Sequence, residues 1–305
     1  MTETIGNVKI NTDDYPGTDL YSDGAVEDEL LEIAMNTEPS GFDREIAARK
    51  SWPVMYHFSR LRENILSWYP FEGHEKVLEI GSGCGAVTGA VLGRTASVTC
   101  VDLSRKRSLV NAYRHREAKE LEIRLGNFQD VEKKLDRDYD VITLIGVFEY
   151  ANSYIASEEP YTEFLRIVGR HLKKGGKLLI AIENRLGIKY FAGCREDHTG
   201  RWFDGIEGYG ENTYARTFVR PELEELFREA GFDRFRFFYP YPDYKFPMSI
   251  YSDDYLPKTG ELRQNLENFD RSRMMLFDEA RALDSIIKAG LFPLFSNSYF
   301  IELER

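Results

Sequence analysis

The run Lys76-Val-Leu-Glu-Ile-Gly-Ser-Gly-Cys-Gly85 constrains the fold most: an apolar, β-branched stretch breaks into glycines at every second position. A strand that ends in such a turn and feeds a helix puts its glycines at the carboxyl end of a parallel sheet, where open α/β folds bind ligands. Gly81, Gly83 and Gly85 also let a ligand approach the backbone with no Cβ in the way. After Glu75 the chain keeps one rhythm, short β-branched runs alternating with longer amphipathic stretches, which is the pattern of a parallel sheet flanked by helices. Strands are predicted at 76–80, 97–102, 121–125, 139–145, 177–183, 232–238 and 298–303. Helices are predicted at about 85–93, 104–119, 160–172 and 220–230, the last with Pro221 in its first turn and Gly231 past its end.

Two stretches break the rhythm, 184–216 and 240–294, and are expected outside the sheet as insertions. Within the second, residues 261–290 carry apolar positions at helical spacing (Leu262, Leu266, Phe269, Met275, Phe277, Leu283, Ile286, Ile287) and are expected to be helical. The same spacing over 26–35 and 53–68 (Met55, Phe58, Leu61, Ile65, Trp68) makes the first seventy residues a helical cap. Residues 1–25, with little hydrophobic periodicity, form an extended or weakly ordered arm. The chain thus divides into an arm and cap (1–70), a ligand-binding core (71–239 with 295–305) and two insertions. Twelve acids stand against four basic residues in the first fifty, and the whole chain carries a charge of −11. No basic face of the kind that neutralises phosphates is visible, which argues against a nucleic-acid binder and an anionic membrane surface. No apolar run is long enough to span a bilayer, and three cysteines without metal-ligand spacing suit a reducing, cytoplasmic setting.

The glycine turn alone fits two ligand classes. Gly81, Gly83 and Ala86 also satisfy the dinucleotide pattern of a dehydrogenase, and Asp102, about twenty residues on, suits a ribose in either case. Glu79 separates them. A dinucleotide sets an anionic pyrophosphate on this turn, where a nearby carboxylate repels it, whereas S-adenosylmethionine has no phosphate and carries an ammonium and a sulfonium.

The ordered set of motifs resembles the class I S-adenosylmethionine-dependent methyltransferases. Glu79-Ile-Gly-Ser-Gly-Cys-Gly85 is similar to the family's first motif and Val101-Asp-Leu-Ser104 to its second, whose acid accepts both ribose hydroxyls. Gly126-Asn-Phe128 resembles the adenine-contacting turn, Tyr139–Tyr150 the fourth motif and Leu172–Glu183 the fifth. The resemblance implies a Rossmann-like sheet of seven strands with the last antiparallel. It also implies cofactor contacts from Glu79, Gly81, Ser82, Gly83, Gly85, Asp102, Leu103, Asn127, Phe128 and Gly146; separately, the apolar helical faces of the cap and the length of the insertions predict that they close over the acceptor side of the sheet. The sequence departs from many relatives at Glu149-Tyr150, where they have an acid followed by histidine. Glu149 is therefore either a group at the site or a cap on the next helix.

Methyl transfer is an in-line displacement at an activated carbon, so the protein mainly aligns the nucleophile and excludes water; an alcohol acceptor must also lose a proton. His57, His74, His115 and His171 fall in the cap, beside the first strand, or in sheet-covering helices, where packing or solvated roles are expected. His198 lies in the long loop after the fifth core strand and is the candidate base, with Asp197 to orient it and Glu149 and Glu183 in reserve. A metal on Asp197-His198 lacks an evident third ligand, so none is expected. The segment Phe237–Pro247, rich in aromatics and proline, either lines an acceptor groove or packs on the cap. Ile182-Glu-Asn-Arg-Leu-Gly, Glu196-Asp-His-Thr-Gly, Phe203-Asp-Gly-Ile-Glu-Gly and Pro242-Asp-Tyr-Lys are similar to a bacterial methyltransferase group encoded beside glycosyltransferases. That likeness implies O-methylation of a sugar or glycan hydroxyl, with glycosyltransferases as partners. N-methylation of a small amine and a catalytically silent cofactor binder are the alternatives.

Overall fold

The computed structural model describes residues 2–19, 24–210, 214–265 and 273–305. The chain divides into two compact units, Met1–Leu144 with Arg170–Lys177, and Ile145–Gly169 with Leu178–Arg305.

In the first unit the strands are β1 (Thr2–Ile5), β2 (Val8–Asp14), β3 (Lys76–Ile80), β4 (Ser97–Asp102), β5 (Leu121–Gly126) and β6 (Tyr139–Ile145), in the spatial order β1-β2-β5-β4-β3-β6. All neighbours but the β1–β2 hairpin run parallel. The central strands are apolar on both faces, with Val77, Leu78, Ile123 and Ile142 fully buried, as a sheet covered on both sides requires. The helices of this unit are α1 (Val26–Asn36), α2 (Phe42–Arg49), α3 (Trp52–Phe58), α4 (Asn64–Ser67), α5 (Arg105–Arg114) and the single turn α6 (Phe128–Val131). Leu30, Ile33 and Ala34 of α1 pack with Phe42, Val54, Phe58 and Val110 in one cluster that also takes in Cys84 of the glycine turn. Burying each large aliphatic side chain there contributes about 1.5–3 kcal/mol, so the expected helical cap is rooted in this unit's own core.

The second unit holds α7 (Ala151–Tyr154), most of α8 (Pro160–His171) and the carboxyl half of β7 (Leu172–Glu183). It continues through α9 (Ile188–Phe191), α10 (Arg220–Glu229), β8 (Arg234–Tyr241), β9 (Ser249–Ser252), α11 (Glu279–Lys288), α12 (Phe292–Phe295) and β10 (Ser298–Glu304). Its strand order is β7-β10-β8-β9, and β10 runs antiparallel to β8. Asn184 and Asn297 tie the strand ends together: Asn184 donates to the carbonyls of Leu294 and Ser296, and Asn297 donates to Pro242 and accepts from the Lys189 amide.

The structure corrects four expectations. Ten strands form among the described residues where seven were expected, the additions being β1, β2 and β9. The arm is therefore a hairpin whose Val8 and Ile10 are buried against the sheet, and β9, inside the second insertion, pairs with β8. The helix expected over 85–93 reduces to one turn at Thr88–Ala90, because Gly85, Gly89 and Gly93 with β-branched Val87, Thr88 and Val91 make a poor helix. Of the helix expected over 261–290 only Glu279–Lys288 forms among the described residues; Leu266 and Phe269 lie outside them.

Candidate active site

The first unit carries all but one of the residues expected to meet the cofactor. Gly81, Gly83 and Gly85 all have positive φ (71°, 52° and 71°), and the amides of Gly81 and Ser82 bond to Val101 of the neighbouring strand. A Cβ on Gly85 would come within 2.3 Å of the Asn111 side chain. Gly85→Ala therefore combines left-handed strain with a clash, and an unfolding free energy lower by about 2 kcal/mol or more is expected in a denaturant titration. Asp102 spans the turn: one carboxylate oxygen accepts the Gly83 amide (2.7 Å), the other the Ser104 amide (2.9 Å). Leu103 follows half-buried, and the Asn127 side chain caps α6 through the Gln129 amide while Phe128 is buried behind it. Gly146, in the second unit, has φ 69° and no room for a side chain beneath Tyr244.

Glu79 sits below the turn, not on it. Its Oε2 accepts from the Thr88 hydroxyl at 2.7 Å and the Cys100 thiol at 3.5 Å, and the residue is 6% exposed. Burial pushes its pKa to about 7, against the hydrogen bonds from Thr88 and Cys100, and Asp102 adds repulsion. A folded-state pKa above the unfolded value means that its stabilising contribution is fully present below pH 4.5 and is lost as pH rises through about 7. We expect the ligand-free protein to lose roughly 3 kcal/mol of stability from this group between those limits, and Glu79→Gln to remove that slope in denaturant titrations run across the range.

Asp19 was missed in the sequence. Its carboxylate accepts from the Arg105 and Lys106 amides and the Ser104 hydroxyl, pinning the arm to the start of α5 beside Asp102. The histidines expected to pack do so: His57 and His115 are held neutral by burial, each near pKa 3, and His115 bonds to the Gly85 carbonyl.

The second unit brings His198, Glu149 and Glu183 together, each offering a ligand atom within 4.8 Å of the others. Glu149 and Glu183 are 1% and 0% exposed. His198 Nε2 faces Glu149 Oε1 at 3.5 Å, and Nδ1 meets Glu196 Oε1 at 2.9 Å. Burial favours the neutral imidazole, but hydrogen bonds to Glu149 and Glu196 outweigh it and hold the pKa well above the usual value. Glu149 is raised above 4.5 by burial, partly offset by His198 and reinforced by Glu183.

Asp197 does not orient His198. It takes Tyr190, Lys189 and Lys245 instead, and Glu196 holds the imidazole, fixed in turn by the amides of His198 and Thr199. Two neighbours in sequence point apart, and only the loop's closure on itself reveals which one serves. Lys245 reaches Glu183 Oε1 at 2.6 Å, and Lys189 also meets Asp243. Of the aromatic segment, Phe237, Phe238, Tyr239, Tyr241, Tyr244 and Phe246 are all buried, the first four on β8. A polar cavity of about 510 Å³ lies among Tyr161, Thr162, Tyr209, Arg216 and Glu229. The Tyr161 hydroxyl and the Arg216 amide both bond to the Glu149 carbonyl, so the cavity wall is tied to that residue.

A glycine turn at a parallel strand end, with an acid nineteen residues after Gly83 bonded to that turn, defines a Rossmann-like fold. The chain belongs to the family described as methyltransferase domain, which it matches over residues 54–234. It is thus a methyl-transferring enzyme with S-adenosylmethionine as donor. No curated protein matches it in sequence. Among solved structures it is similar to a SAM-dependent methyltransferase from Archaeoglobus fulgidus, at 17% identity over 87% of this chain and 99% of that one, TM-score 0.48. It is also similar to phosphoethanolamine N-methyltransferase 1 from Haemonchus contortus, at 14% identity over 90% of this chain and 49% of that one, TM-score 0.48. No helix among the described residues is long and apolar enough to cross a membrane.

Proposed function

We propose that the enzyme methylates a hydroxyl of a sugar or glycan and that Glu149 takes the acceptor proton as the methyl moves. One observation carries the reading: Glu149 is a buried carboxylate whose Oε2 has no hydrogen-bond partner among the described residues, while its Oε1 faces His198. A buried carboxylate with raised proton affinity is a better general base than an exposed one. The hydroxyl oxygen attacks the methyl carbon, the carbon–sulfur bond breaks with its electron pair left on sulfur, and the proton passes to Glu149. Glu79, Gly81, Gly83, Gly85, Asp102, Leu103, Asn127, Phe128 and Gly146 serve the cofactor, and His198 and Glu183 set the ionisation of the base. The cavity whose wall bonds to the Glu149 carbonyl, lined by hydroxyl, carboxylate and guanidinium groups, supports a polyhydroxylated acceptor, as does the likeness to the methyltransferases encoded beside glycosyltransferases.

The test is incubation with S-adenosylmethionine and a panel of nucleotide sugars, oligosaccharides and small amines, following S-adenosylhomocysteine release and the mass of the product. Turnover with hydroxyl acceptors is expected; methylation of amines alone would overturn the reading. N-methylation needs no base when the amine arrives uncharged, so Glu149→Gln separates the two chemistries.

A further inference from the structure

We infer that Glu149, Glu183 and His198 bind one divalent transition-metal ion of the Mn²⁺ or Zn²⁺ class. The inference deepens the proposed function by adding an ion to the same cluster, and it rests on that reading only for what the ion does in turnover, not for its binding.

The geometry comes first. Ligands about 2.0–2.2 Å from a shared ion lie roughly 3–3.5 Å from one another. The 3.5 Å between His198 Nε2 and Glu149 Oε1 meets that spacing, and the third ligand atom lies within 4.8 Å. A metal-bound histidine almost always gives its other ring nitrogen to a carboxylate or carbonyl, which fixes the tautomer and aims the free nitrogen at the ion. Glu196 holds Nδ1 at 2.9 Å and is itself clamped by two backbone amides at 2.7 and 2.6 Å.

The carboxylates are oriented in the same way. Lys245 takes Glu183 Oε1 at 2.6 Å, while Glu183 Oε2 and Glu149 Oε2 are buried with no hydrogen-bond partner among the described residues. Leaving buried carboxylate oxygens unpaired is costly unless a ligand satisfies them. Charge points the same way. Glu149, Glu183, Glu196, Asp197 and Asp243 outnumber Lys189, Lys245 and His198, and both lysines are engaged by Asp197, by Asp243 and by Glu183. One imidazole with two carboxylates and no thiolate selects a borderline ion over Ca²⁺ or Mg²⁺. A hydroxyl bound at an open position of such an ion would give up its proton more readily.

The test uses the full chain, dialysed against chelator and titrated with MnCl₂, with binding followed by electron paramagnetic resonance of the free ion and by calorimetry. Saturable binding of one ion per chain is expected. Glu183→Gln and His198→Gln should abolish it. Glu196→Gln, which removes no ligand atom, should weaken it about 10–100-fold. S-adenosylmethionine affinity, read in parallel, reports that each variant is folded. Absence of saturable binding of either Mn²⁺ or Zn²⁺ to the wild-type chain, or binding undiminished in both ligand variants, overturns the inference. Hydroxyl methylation by a chain that binds neither ion would leave the proposed function standing and the metal site refuted. A chain that binds the ion but methylates only amines would do the reverse.

Discussion

Replacing Glu149 by glutamine is expected to lower turnover by ~10²–10⁴-fold, the usual contribution of a positioned base, while leaving S-adenosylmethionine affinity unchanged. The amide keeps the residue's volume and removes only its proton affinity, so the loss should fall in kcat and not in cofactor binding. Wild-type activity requires the ionised carboxylate, so it falls as pH drops through the raised pKa of Glu149, above 4.5. The bond from His198 lowers that pKa; His198→Gln should therefore move the acid limb of the profile to higher pH. Stopped assays across pH with saturating acceptor and donor measure both effects. A Glu149→Gln enzyme with unaltered turnover would transfer the role to Glu183 or show that the acceptor needs no base.

Asp102→Ala is expected to weaken S-adenosylmethionine binding by ~2–4 kcal/mol, about 30- to 1000-fold, through the loss of two charge-assisted hydrogen bonds to ribose. Each oxygen of this carboxylate accepts one backbone amide already, from Gly83 and Ser104, and a carboxylate oxygen has a second lone pair for a hydroxyl. Removing the side chain thus also releases the turn. Asp102→Asn, which keeps one acceptor oxygen, should lose an intermediate amount. Calorimetry with S-adenosylhomocysteine reads both, and a denaturant curve shows whether the chain remains folded. Affinity unchanged in a folded Asp102→Ala would remove Asp102 from the cofactor site.

The core of the first unit could be read from the sequence because its strands are buried on both faces. Val77-Leu78, Val98, Cys100-Val101 and Val141–Leu144 are continuous apolar runs, and the observed spans Lys76–Ile80, Ser97–Asp102 and Tyr139–Ile145 coincide with the predicted ones. Glycine spacing likewise put Asp102 opposite the turn. The hairpin was hidden because Val8 and Ile10 make an alternation only two residues long, and the edge that buries them belongs to β5, more than a hundred residues later. Glu149, Glu183 and His198 were candidates one by one, but their meeting depends on a loop closing over thirty residues. Glu196 was passed over for Asp197, since the spacing treats the two alike, whereas the lysines that draw Asp197 away come from residues 189 and 245. The aromatic segment stayed open between two roles for a plain reason: burial and ligand stacking both favour flat rings, and composition does not distinguish them.

The pairing of β2 with β5 also sets an order of assembly. A contact between Lys9 and Glu122 closes a loop of more than a hundred residues, and such long-range pairings form late because the entropy of closure precedes any reward. The β3–β4 and β4–β5 ladders close much shorter loops and offer the edge on which β2 docks. During synthesis the first strand-forming residues therefore wait, solvated, for most of the unit to emerge. A hairpin with an open hydrogen-bonding edge invites pairing with another chain unless charges interrupt it. Until Leu121 has left the ribosome, the β1–β2 hairpin keeps one edge open, and along β2 stand the charges of Lys9, Asp13 and Asp14.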